Sequence, residues 1–419
     1  MKYLHIRNAH LIDPARSLDS LSDVYIAEGK LVAIGHKPPE GTIERTIEAG
    51  EQWLVPGFID LSAYLNEPGY TQKGTIARDT QAAAEAGFTH ICAQPHTRPI
   101  ADSSAVIQLI LDKSSVAGFA RVLPLGALTQ GLAGEQLSNM VSLRNAGCVA
   151  LSNARFPIKD SYVLRRLMEY AATYNIRLFI TPNDPALACD GVMHEGPIST
   201  RLGLAGIPET AETVALAQTL LLAEQTGARL HISQISCARS IDMLTEARNR
   251  GLNVTADVSL ANLCFTDETV NGYNSRFHVE PPLRSEADRQ ALLAAVNRGE
   301  LAICSNHRPH EIAAKKAPFA ASEPGMSLYR HFLPLLLQLI QNDELDRNAA
   351  IQALTELPAR ALGLERGLCE SHLFNATLIN PSALPSEEQP DDLSSPNTSG
   401  QPGMATATFV DGFQVISSH

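Results

Sequence analysis

Histidines, carboxylates and one strand cysteine set the chemistry open to this chain. His307-Arg308-Pro309-His310 places two imidazoles at an HxxH spacing just after an apolar run, residues 301–304. With His96 or His278 they would form a candidate metal cluster, since neutral imidazole is a common ligand. Pro309 breaks the helix on which such a spacing would present both rings to one ion, so hydrogen-bonded structural histidines are the simpler reading. His231 lies three residues before Gln234. In an extended strand the two fall on opposite faces, which predicts His231 packed against a helical layer. Asp60, Glu67 and Asp184 are expected to hold loop amides rather than to move protons. Cys304, in an apolar strand with no base beside it, reads as core. Arg155, Arg308 and Arg330 bring positive charge that either braces loops or binds an anion.

Something must position these groups. From residue 58 to about 367, strand-like runs alternate with segments of helical period. The runs are 58–61, 89–93, 149–151, 177–180, 229–232, 252–256 and 301–304; helical segments include 79–86, 161–174, 211–226 and 240–250. Alternation of this kind calls for parallel βα units, and a closed α/β barrel of the TIM-like (β/α)8 type is the economical solution. Such a barrel carries its chemistry at the C-terminal ends of its strands. The first 55 residues read instead as short strands (3–6, 24–26, 31–34). At the far end two runs, 405–410 and 413–416, flank Asp411-Gly412, a strong hairpin signal. The expectation is a barrel over 56–370 and a small composite β-domain from residues 1–55 and 371–419. Within the latter, 381–403 is rich in Pro, Ser, Asn, Asp and Gly and reads as a mobile loop.

Composition narrows the class. The chain has 419 residues, 45 acidic against 33 basic, and a net charge of −12. That acidity argues against a nucleic-acid partner. Seven cysteines, an odd number with no CxxC pair, argue against a disulfide framework or cysteine zinc site and point to a reducing cytoplasm. No apolar run is long enough to span a bilayer, and the first residues are too polar for a signal peptide.

After the first strand the sequence reads Val55-Pro56-Gly57-Phe58-Ile59-Asp60-Leu61-Ser62-Ala63-Tyr64-Leu65-Asn66. At this point the chain resembles the type I dihydroorotases of the amidohydrolase superfamily. Glu85-Ala86-Gly87-Phe88-Thr89, Gly191 to Gly196, Thr226 to Ile232, Pro281-Pro282-Leu283-Arg284, Lys316 to Phe319 and Pro358 to Leu364 follow in the family's order. The resemblance covers roughly residues 1–370, and it implies the amidohydrolase barrel.

The resemblance also locates the family's metal and catalytic positions, and there the chain departs from the pattern. Asp-x-His-x-His-x-Arg is here Asp60 followed by Ser62, Tyr64 and Asn66. The family's Ser-Asp-Asp-Gly is Ser152-Asn153-Ala154-Arg155, and its His-Ala-Glu-Asp is Thr181-Pro182-Asn183-Asp184. The second histidine of His-Ile-x-His is Gln234, and the aspartate of Thr-Asp-His-x-Pro-His is Asn306. Of the substrate anchors, the arginine is Asn66, an asparagine is His96, and only His310 remains. Zinc needs imidazole, thiolate or carboxylate donors, which these positions lack. Asn306 cannot accept a proton as a general base.

What the resemblance then implies is a catalytically inactive dihydroorotase homologue, without metal or other cofactor. It is similar to the non-catalytic dihydroorotase-like subunits found with bacterial aspartate carbamoyltransferase. The implied partner is the carbamoyltransferase catalytic subunit, with self-association inside a large cytoplasmic hetero-oligomer. Two alternatives stay open on the residues alone: a cyclic amidohydrolase with a rebuilt site, and a sensor that binds a pyrimidine intermediate in the old pocket.

Overall fold

The computed structural model describes residues 1–38, 40–384, 395–396, 398 and 400–417. Eight parallel strands follow one another around a barrel: Phe58–Ala63, Phe88–Ala93, Arg121–Ala127, Ala150–Ser152, Arg177–Ile180, Arg229–Ile232, Val254–Ser259 and Ala302–Cys304. The Tyr64 amide donates to His307 O at 2.8 Å, which ties the end of the first strand to the loop after the eighth. Seven of the eight lie where the apolar runs predict them. The third, Arg121–Ala127, carries Pro124 and Gly126, residues that normally argue against a strand interior. The Pro124 carbonyl still accepts from the Val149 amide at 3.2 Å, so the ladder toward the fourth strand continues on that side.

Helices cover the barrel, and their ends follow local chemistry. Ile76–Glu85 begins where the Thr75 hydroxyl accepts from the Arg78 amide at 3.2 Å, and it buries Ile76, Thr80, Ala83 and Ala84. Glu209–Thr226 stops at Gly227, whose φ of 70° suits a residue without Cβ. Between helix and strand layers, Phe88 packs its ring 4.8 Å from Phe332 and 5.5 Å from Tyr329.

Both chain ends meet in a second sheet. Its order is Phe413–Ser417, Met404–Val410, Ala376–Asn380, Trp53–Pro56, Lys2–Asp13, Leu18–Ala27, Lys30–Ile34, with Thr42–Glu48 pairing Lys2–Asp13. The expected hairpin is there: Val410 pairs with Phe413 across Asp411 (φ 51°) and Gly412 (φ 82°), the left-handed pair that a tight hairpin turn requires. Ile6, Leu11, Leu54, Phe374 and Phe409 form a core of their own against this sheet. The stretch 381–403 lies largely outside the described residues; of those described, Thr398 meets His331 Nδ1 through its hydroxyl at 2.7 Å. Among the described residues no helix is long and apolar enough to cross a membrane.

Candidate functional site

Two carboxyl groups inside the barrel brace the turns at its C-terminal end. Asp60 accepts from the amides of Ser62 (3.1 Å) and Ser305 (2.9 Å), from the Tyr329 hydroxyl (2.8 Å), and from the Ser305 hydroxyl. Burial pushes its pKa up against the pull of those bonds. Asp257 accepts from the Gln234 amide at 2.7 Å and from Cys304 Sγ at 3.3 Å, and it faces His231 Nε2 at 2.7 Å. His231 therefore points into the barrel, not at the helical layer. The alternation argument fails because the strand ends at Ile232 and Gln234 adopts a φ of 56°, so period two does not extend across the two residues. Cys304 is fully buried, as the apolar run predicts.

Above this layer lie the positions that sequence motifs single out, and the structure brings most of them together. Ser62 Oγ accepts from Gln234 Nε2 at 2.6 Å and from Gln94 Nε2 at 3.0 Å. Gln94 Oε1 in turn accepts from the Ser152 hydroxyl at 3.1 Å, and Ser152 Oγ accepts the Ala154 amide at 2.9 Å. Gln234 Oε1 accepts from Arg155 at 2.9 Å. The Asn306 side chain donates from Nδ2 to the Glu280 carbonyl at 2.8 Å. On one flank Asn153 clamps Thr181, accepting from its amide at 3.0 Å and donating to its carbonyl at 3.4 Å. The Thr181 hydroxyl is buried without a partner. Asn66 stays apart from the network and donates to the Tyr64 carbonyl at 3.2 Å.

Rings and guanidinium groups close the rim. Tyr64 lies under Arg308 (5.0 Å from cation to ring centre) and 6.4 Å from His96. His96 also meets Phe156 at 5.0 Å and Tyr70 at 5.7 Å. Burial, with Arg308 and Lys73 nearby, lowers the His96 pKa. Glu280 bridges Arg308 at 3.1 Å and Arg155 at 3.4 Å. Burial alone would raise its pKa, but the two guanidinium groups hold it below the ordinary value. The paired arginines thus brace loops through a shared carboxylate; Arg330 is exposed at the start of Tyr329–Gln341. Sequence reasoning passed over Glu280, although it stands directly before the Pro281-Pro282-Leu283-Arg284 motif.

The four histidines of the candidate cluster have separate duties. His307 Nδ1 accepts from the Leu328 amide at 3.0 Å, and its ring stacks on Tyr329. His310 Nε2 meets the Pro324 carbonyl at 3.0 Å; burial and the charges of Arg308, Lys73 and Lys315 push its pKa down to about 3. His278 stacks on Phe319 and meets the Ser322 hydroxyl at 2.8 Å, with its pKa lowered by burial and Lys315 to about 4. Among the described residues no three His, Cys, Asp or Glu side chains converge as a metal site would require. Glu67 accepts the Ile76 amide at 2.9 Å and Asp184 those of Ala186 (2.8 Å) and Leu187 (3.2 Å), the loop-holding roles expected of them.

A feature of the backbone was invisible in the sequence. Asn66, Ala154, Gln234 and Asn306 have φ values of 61°, 47°, 56° and 49°. Four of the positions flagged by motif are left-handed, a conformation that costs a non-glycine residue roughly 1–2 kcal/mol. Such strain tends to gather at functional sites.

An eight-stranded parallel barrel with its polar network at the strand ends and a sheet from both termini belongs to the amidohydrolase class of folds. An L-hydantoinase (dihydropyrimidinase) from Arthrobacter aurescens shares it, with a TM-score of 0.87 over 100% of this chain and 96% of that one, at 18% identity. A family model described as dihydro-orotase-like matches residues 51–240. A dihydroorotase-like protein of Pseudomonas aeruginosa is 46% identical over 415 residues, 98% of each chain. A dihydroorotase of Anaeromyxobacter sp. (strain K) is 39% identical over 367 residues, 87% of this chain and 85% of that one. The chain belongs to the dihydroorotase-like family.

The residues at that family's metal positions do not fit a metal ion. Ser62, Tyr64, Thr181, Gln234 and Asn306 offer hydroxyl and amide groups where imidazole or carboxylate is needed. The Ser62 hydroxyl and both ends of the Gln234 amide are already engaged with protein groups.

Proposed function

We propose that this chain is a non-catalytic member of the dihydroorotase-like family and serves as an assembly subunit of aspartate carbamoyltransferase in the cytoplasm, within pyrimidine biosynthesis. One observation carries the first half of the reading: Ser62 on the first strand and Gln234 just after the sixth, at two metal positions, bond directly to each other at 2.6 Å. Groups bonded to each other, and further to Gln94 and Arg155, have no donor atom turned toward an ion. The missing general base at Asn306 and the ring of His96 at a substrate-anchor position support it. The partner rests on the family resemblance. An intact scaffold around a spent site is what retention for assembly leaves behind, since fold and function are separable.

Co-expression with the carbamoyltransferase catalytic subunit tests the partner. Size-exclusion chromatography with light scattering should show one large species containing both chains, and carbamoyltransferase activity should depend on it. Rim charges mainly steer association, so assembly should slow as salt rises yet persist at moderate ionic strength. Separate elution of the two chains at low salt would overturn the assembly reading.

A further inference from the structure

Ligand-sized space exists beside the mouth. A cavity of about 440 Å³ opens between helices Ser161–Thr173 and Glu209–Thr226, on the outer side of the fourth and fifth strands. That volume is within the usual range for small-molecule sites, about 300–1,000 Å³. Asn153 and Thr181, on the flank of the network above Asp60 and Asp257, are among its lining residues.

The lining chemistry is specific. Leu164, Ile180, Pro157 and Pro182 supply apolar walls. Lys159 is exposed at the rim and has no hydrogen bond or ion pair among the described residues. Asp184 uses Oδ1 to cap the short helix Pro185–Ala188, which leaves Oδ2 open. Gln218 uses Nε2 on the Ser161 hydroxyl at 2.6 Å, which leaves Oε1 open. The cavity therefore presents one unpaired cation and two open acceptors around an apolar body. A complementary ligand carries an anion, an N–H donor and a small hydrocarbon part.

We propose that this cavity is a binding site for a small carboxylic acid bearing an amide N–H. The carboxylate pairs with Lys159, the N–H donates to Asp184 Oδ2 or Gln218 Oε1, and the hydrocarbon lies against Leu164 and Ile180. The site borders the mouth through Asn153 and Thr181, while its polar anchors, Lys159, Asp184 Oδ2 and Gln218 Oε1, take no part in the Ser62–Gln234 network.

Isothermal titration calorimetry on the full-length protein tests this with three probes of one shape. N-acetyl-L-valine has both polar groups, N-acetyl-L-valinamide lacks the carboxylate, and isovalerate lacks the amide. N-acetyl-L-valine should bind with a Kd of about 1 mM or tighter, and each of the other two at least about tenfold more weakly. Lys159→Gln alters an exposed side chain and should weaken N-acetyl-L-valine by about tenfold, an effect of about 1.4 kcal/mol. Ala215→Leu, which fills the cavity from the helix, should abolish binding; if that variant does not fold, Lys159→Gln decides. Absence of binding at about 10 mM, ten times that Kd, overturns the proposal. So does binding that ignores the carboxylate or is unchanged in Lys159→Gln.

Discussion

Asp60 sits two residues before Ser62 on the first strand, and Asp257 receives the backbone N–H of Gln234 from the neighbouring segment. In each pair the inner residue is a carboxylic acid and the outer one is neutral. The inner layer binds main-chain amides and so fixes where the turns run. The outer layer is neutral and binds side chains and main chain alike, the latter at Ala154, Thr181 and Glu280. The difference teaches that the charged, fully buried acids are the groups whose loss the loops can least absorb, whereas the groups above them are neutral and exchange bonds with one another.

The largest expected effect lies in the inner layer. Asp257→Ala leaves His231, the Gln234 amide and Cys304 without their acceptor in a fully buried setting. Breaking one side of such a buried pair costs about 3–5 kcal/mol. Urea denaturation should show a loss of that order, and a loss below about 1 kcal/mol, the value of an ordinary hydrogen bond, would erase the distinction between layers.

Next comes the rim. Glu280→Gln leaves Arg155 and Arg308 facing one another without their shared carboxylate. Glu280 is partly exposed, so solvent screens the pair and the loss should be about 1 kcal/mol, smaller at high salt. A loss as large as that of Asp257→Ala would mean the rim organises the fold.

Acid should expose the buried neutral histidines. His310 has its pKa depressed to about 3 and His278 to about 4. Between those values and the unfolded value of about 6.5 the unfolded chain binds protons that the native chain refuses, so stability rises with pH across that window and falls as pH drops through it. His310→Asn should flatten the slope by up to about 1.4 kcal/mol per pH unit, the equivalent of one proton. An unchanged slope from pH 6 to pH 4 in thermal melts would show that His310 protonates freely in the fold.

Ala154→Gly should give the smallest shift, and with opposite sign. Ala154 is left-handed at φ 47°, where glycine escapes the Cβ clash at some cost in chain entropy. The net gain should be about 0.5–1 kcal/mol, and a loss would mean that the buried Ala154 methyl group matters more than the strain.

These layers were unequally legible in the sequence. Strand runs such as 177–180 and 229–232 carry enough apolar pattern to place the barrel, and Asp411-Gly412 announces its hairpin by composition. Arg121–Ala127 did not, because Pro124 and Gly126 mimic a loop. The motif positions identified which groups stand at the mouth, since register places strand ends together. Their mutual bonding was not legible: that Gln234 reaches Ser62, and that Glu280 joins two arginines, depends on contacts between segments far apart in the chain. His231 was misplaced because a left-handed residue, Gln234, ended the alternation, and glutamine, unlike glycine or asparagine, does not advertise that conformation.

The central claim is that the mouth performs no hydrolysis because its own side chains occupy it. Steady-state turnover of dihydroorotate and of carbamoyl aspartate by the purified protein, with zinc supplied, tests it most directly. The account predicts rates equal to the protein-free control, both for the natural sequence and for the Ser62→His, Tyr64→His double variant, since residues that act as a unit do not recover singly. Turnover above that control by the natural protein, lost when Asn306 or Gln234 is changed to alanine, would contradict it.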